Sequence, residues 1–163
     1  MCGRVRNNQV ISLKLSMFSF FKKTSLPKEP DLEQVIYDIA EYQTEKDFHL
    51  LYQMMEKRTV FCPVDPASLP KAAIPGKKYT TTKNDNLLVN YVTLPNNQLA
   101  APAYTRNDMA ALAEGYVGME WLEFLQMAMK LDSSFYGVLL QGQRSWVALD
   151  RKRIRYILKL SGH

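Results

Sequence analysis

Two cysteines, two histidines and seven glycines are all that the 163 residues provide, and each scarcity removes a class of protein. Cys2 and Cys62 could close at most one bridge, so the chain is no disulfide scaffold and a reducing, cytoplasmic setting is expected. Zinc sites take about four ligands from Cys, His and carboxylates at recognisable spacings. None occur, and neither a metal nor a cofactor is expected. The glycines are scattered, with no cluster that would cradle a phosphate. The acidic residues are equally dispersed, which leaves no carboxylate pair placed for acid–base work. No apolar run reaches the roughly 18 residues that span a bilayer, so an integral membrane association is not expected.

What is present is a balanced, core-forming composition. Hydrophobic residues make up 47% of the chain and charged ones 23%, as in soluble globular domains. The net charge of +5 would suggest nucleic acid if it lay on the folded body. It lies in the first 30 residues, where Arg4, Arg6, Lys14, Lys22, Lys23 and Lys28 face Glu29 alone. The rest of the chain holds fifteen cations and fifteen acids, so a nucleic-acid partner is not the expectation. Residues 1–30 read as a basic, poorly ordered leader and 31–163 as one domain. Met17 is an alternative start, which would make 1–16 an upstream extension. Phe18, Phe20 and Phe21 with Lys22 and Lys23 form at most a short membrane-surface anchor.

Within 31–163 the hydrophobic periodicity alternates between helix and strand. Asp31 stands at a helix N-cap, followed by Leu32, Val35, Ile36 and Ile39 on one face. Phe48, Leu51, Tyr52 and Met55 mark a second helix over about 46–57. Val60-Phe61-Cys62 is β-prone and stopped by Pro63, which suits a sheet edge. A long proline-punctuated connection runs over 63–86. Two strands over 87–94 and 98–104 flank Pro95-Asn96-Asn97 as a hairpin. Thr105 and Asp108 have the spacing of a capping box for a brief helix to Leu112. A short strand over 116–119, a helix over 120–131, a strand pair over 135–141 and 145–149, and a final helix capped by Asp150 complete the order. The expected fold is α+β, with an antiparallel or mixed sheet of five to six strands and helices packed against it.

The candidate site residues fall into three groups. Met-Cys-Gly-Arg at the start would expose Cys2 as an N-terminal nucleophile, the logic of glutamine amidotransferases and of abasic-DNA-trapping proteins. The base, orienting group and oxyanion donors that such chemistry needs are not evident. Cys62 and His49 read as structural. Surface recognition is better served by Lys77, Lys78 and Tyr79 in the long loop. A second basic surface is offered by Arg151, Arg153 and Arg155, which with Lys152 face solvent on the last helix. A nucleic-acid contact through that helix is the other alternative.

Several stretches follow one another in a familiar order. Phe48-His49-Leu50-Leu51 leads to Val60-Phe61-Cys62-Pro63. Pro102-Ala103-Tyr104-Thr105-Arg106 has the form of a helix entry, an apolar helix ends at Lys130-Leu131, and a hairpin runs from Tyr136 into a helix at Ile157. Over residues 48–158 the chain resembles the N-terminal domain of the SseB family of bacterial proteins. That resemblance implies a non-catalytic domain that binds another protein in the bacterial cytoplasm, with an immunity-type or secretion-associated partner as the concrete version. It carries over no catalytic residue.

Overall fold

The computed structural model describes residues 30–74, 77, 79–82 and 85–163. The expectations for the leader, Cys2 and Met17 included, lie outside these residues, and so does Lys78.

The described residues hold four α-helices: α1 (Leu32–Tyr42), α2 (Glu45–Met55), α3 (Trp121–Met129) and α4 (Arg151–Leu160). Six strands form one mixed sheet: β1 (Thr59–Pro63), β2 (Val92–Thr93), β3 (Leu99–Tyr104), β4 (Tyr116–Glu120), β5 (Gly137–Gln141) and β6 (Trp146–Asp150). The fold is α+β, as composition and periodicity indicated.

Local chemistry explains most helix boundaries. Asp31 accepts the Glu33 N–H at 3.3 Å, and Asp150 accepts the Arg153 N–H at 2.7 Å. Each satisfies a donor that the first helical turn leaves unpaired. Thr44 caps α2, accepting the Asp47 N–H at 3.2 Å and donating its hydroxyl to the Asp47 carboxylate. α3 has no such side chain, because β4 runs straight into it. Its first N–H instead donates to the Arg58 carbonyl at 2.9 Å.

The sheet order is β4-β1-β3-β5-β6, with only β3 and β5 parallel. β2 pairs with Leu99 and Ala100 of β3, and β1 meets β3 at Tyr104. Pro102 thus sits in an interior strand between the reaches of two neighbours, where its missing N–H breaks no ladder. β1 is likewise interior, not at the edge that Pro63 suggested. Pro63 ends the strand, and its carbonyl still accepts the Asn90 N–H at 3.0 Å. The long strand expected over 87–94 contracts to Val92–Thr93, with Val89 bridging to Val64.

The helix expected after Thr105 is absent. One 3₁₀ turn, Ala110–Leu112, takes its place. Both members of the capping box are engaged elsewhere: Asp108 pairs with Arg106, and the Thr105 hydroxyl donates to Glu33 at 3.0 Å. A contact with α1, 72 positions away in sequence, overrides the local signal.

Alternation divides the sheet into two faces. Val60, Cys62, Ala101, Ala103, Val138, Leu140, Val147 and Leu149 turn to the helices and form the main core with Ile36, Ile39, Leu51, Trp121, Phe124 and Ile154. The opposite face holds a smaller cluster of Leu94, Ala100 and Leu139, against which Val92, Tyr136 and Ala148 pack.

Candidate binding surface

The helix-free face of the sheet carries several aromatic side chains, two of them well exposed. Strand parity sends Phe61, Tyr104, Tyr116, Leu139, Trp146 and Ala148 there, opposite the neighbours that fill the main core. Trp146 is 43% exposed and Tyr116 41%. Phe61 meets Tyr116 edge-on at 5.6 Å between ring centroids, and Tyr91 meets Phe135 at 4.7 Å. Such pairs hold the rings in place without hiding them.

A shallow groove crosses this face. The β2–β3 hairpin leans Leu94 and Pro95 over the sheet, and Trp146 forms the facing wall. Leu139, Val92 and Gln141 line one compartment of about 260 Å³. Tyr136, Asn96 and Ala148 line an adjoining one of about 200 Å³. No lining residue is charged; polar contact is offered by Gln141, Asn96 and Thr93.

Backbone detail shapes the β5–β6 hairpin that carries Trp146. Gly137, with φ of +154°, sits where an added Cβ would collide with the Leu149 carbonyl, so β5 and β6 approach closely here. Glu33 closes the end of the β5–β6 turn, accepting the Gln143 N–H at 2.6 Å as well as Thr105 Oγ1. It thereby fixes the turn that joins Gln141 to Trp146.

The residues singled out from the sequence lie elsewhere and are not gathered into one site. Lys77 is exposed, and Tyr79 is half-buried with its hydroxyl 3.2 Å from the Asp85 carboxylate. Asp85 also accepts the Thr82 N–H at 2.7 Å, so Tyr79, Thr82 and Asp85 are tied to one another.

The basic cluster of α4 stays wet only at Lys152 and Arg155; Arg151 and Arg153 are half-buried. Arg151 donates to the Met129 carbonyl at 2.9 Å, with longer contacts to the carbonyls of Leu131 and Asp132. A guanidinium at the C-terminus of α3 satisfies orphan carbonyls and complements the helix dipole. Arg153 binds both oxygens of Glu45, at 2.8 and 3.2 Å, and its guanidinium carbon lies 3.7 Å from the Phe48 ring centroid. Two of the three arginines therefore hold helices together, while Arg155 remains exposed.

Of the two groups read as structural, Cys62 lies in the core and His49 does not. Cys62 is fully buried and burial pushes its thiol up to about 12, which keeps it protonated and a poor nucleophile. His49 is exposed on α2, its ring 6.0 Å from both Tyr52 and Tyr156. Among the described residues no group of three or more His, Cys, Asp or Glu could hold a metal ion, and no helix is long and apolar enough to cross a membrane.

The groove itself went unseen in the sequence. Its one local signal is Trp146 at the strand positions opposite to Val147 and Leu149, where a half-buried strand normally carries polar residues. Compared with known proteins, the chain matches no family model, no curated protein and no solved structure.

Proposed function

We infer that this chain is a non-catalytic domain that binds another protein, and that the Trp146 groove is the contact. The exposed indole that lines both compartments of an uncharged groove is the observation that carries the reading. Interfaces are enriched in aromatics at their centres, where a rigid ring removes much apolar surface from water at little entropic cost. Isolated exposed apolar residues are ordinary, but here Trp146, Leu94, Pro95 and Tyr136 converge on one depression. An extended segment of the partner with an apolar side chain against the indole suits this uncharged lining.

The likeness of residues 48–158 to SseB N-terminal domains gives the concrete version. The partner is then an immunity-type or secretion-associated protein of the bacterial cytoplasm. Lys77 and Arg155, exposed and away from the groove residues in sequence, supply charge that steers an acidic partner, an effect on association rate more than on affinity.

The test is affinity capture from the native host with the wild-type chain and with Trp146→Ala in parallel. The expected result is a protein retained by the first and lost from the second, with both baits equally folded by circular dichroism. Retention that is equal on both baits removes the groove as the contact.

A further inference from the structure

β4 is an edge strand, and among the described residues no strand pairs with its outer side. Trp121 N–H donates to the Arg58 carbonyl and Val64 N–H to the Gly115 carbonyl, at 2.9 and 3.1 Å. These two bonds bracket the β1–β4 ladder and set its phase. Val117 and Met119 turn their backbone groups toward β1, opposite Cys62 and Val60. Tyr116, Gly118 and Glu120 turn theirs outward, and among the described residues nothing pairs with these N–H groups. Edge strands are usually blunted by lysine, proline, a bulge or a cover. β4 has none of the first three within it, and its single charge, Glu120, stands at its end.

The side chains of β4 are also incompletely buried. Val117 and Met119 pack against the main core yet remain half-exposed, whereas Val147 and Leu149, their counterparts on the other edge strand β6, are buried. α1 packs over the helix side of β6, where these two side chains lie. Of the two edge strands, β4 is the one whose core-side residues stay half-exposed.

We propose that a second copy of this chain completes it, through antiparallel pairing of β4 with β4 about a two-fold axis at Gly118. The strand is self-complementary in that register. Gly118 faces Gly118 and exchanges two hydrogen bonds. Each Glu120 N–H reaches the Tyr116 carbonyl of the other copy, so the charged side chain lies beside a neutral ring and never beside its own copy. Val117 faces Met119, which adds apolar contact on the helix side. With no side chain at Gly118, the two backbones meet without steric conflict on the axis. The result is one continuous sheet of both copies, joined by a short, reversible interface of the kind that dissociates on dilution.

The measurement is sedimentation of the full chain over about a hundredfold dilution. Wild type is expected to shift from dimer to monomer across that range. Gly118→Asp and Gly118→Lys each place like charges on the axis and weaken association about tenfold or more. Neither side chain is excluded sterically, since a Cβ at Gly118 meets Phe61 and Thr59 at 3.4 Å. An equimolar mixture of the two variants is expected to recover the dimer, because opposite charges then meet. Wild type that stays monomeric, a Gly118→Asp chain as dimeric as wild type, or a mixture that fails to recover would each overturn the proposal. Should either variant fold poorly, amide exchange of wild type decides. The Tyr116, Gly118 and Glu120 N–H groups should be protected at high concentration and fast at low, and fast exchange at every concentration overturns the pairing. Trp146 is remote from this register, so the outcome is independent of partner capture by the groove.

Discussion

The carboxylate of Glu33, in the first turn of α1, accepts the backbone N–H of Gln143 at 2.6 Å in the β5–β6 turn. Its second oxygen takes the Thr105 hydroxyl, so one side chain ties the first helix to the ends of β3 and β5. Gly142 lies against the same carboxylate, which a Cβ there would displace. Glu33→Ala is expected to cost about 1–2 kcal/mol, the low part of the range for charge-assisted bonds because the site is only half-buried. Gly142→Ala should cost at most a similar amount, by displacing that carboxylate from its bonds, and the double variant less than the sum. Thermal melts of the four chains read this directly. An unchanged melting temperature for Glu33→Ala would show that the clamp contributes nothing.

Cys62 offers a probe of opening. With burial holding its thiol at about 12, a thiol reagent should reach it only when the core opens. In a Cys2→Ser background, the native protein is expected to react at a rate that follows global unfolding in denaturant. The folded-state value is raised above the ordinary thiol value, so its contribution is complete below pH ~8.5 and is lost as pH rises toward 12. Fast labelling in native buffer would place the thiol at the surface.

The α4 arginines should separate by readout. Arg151→Ala removes the cap from the end of α3 and should lower stability by about 1 kcal/mol. Arg155→Ala should leave stability within about 0.5 kcal/mol. Arg153 holds the Glu45 carboxyl below its ordinary range, a pairing present above that range and lost as pH falls through the lowered value. Arg153→Met keeps the stem over Phe48 and should flatten the acid limb of a stability–pH curve. Equal melting temperatures for all four chains would return the whole cluster to the solvent.

The sequence made local decisions legible and concealed those taken across the fold. Asp31 and Asp150 announced their helices because the cap and the donor it satisfies lie within three residues of each other. Thr105 and Asp108 announced a helix with equal clarity, but Glu33 and Arg106 take their side chains, and nothing in the local pattern shows that competition. Pro63 suggested an edge because proline removes a donor. Its position as the last residue of β1 makes that loss harmless in the sheet interior. The groove was hidden for a different reason. Leu94 and Trp146 meet only through the pairing of β3 with β5 and β5 with β6, and that register is not written in either segment.

Fluorescence of Trp146 tests the central claim most directly. The chain has two tryptophans, and Trp121 is fully buried, so quenching by acrylamide reports Trp146 in the free protein. Titration with the captured partner is expected to shift the emission to shorter wavelength and to remove most of that quenching at saturation, as the indole leaves water. Trp146 that remains as quenchable in the saturated complex as in the free chain would contradict the account.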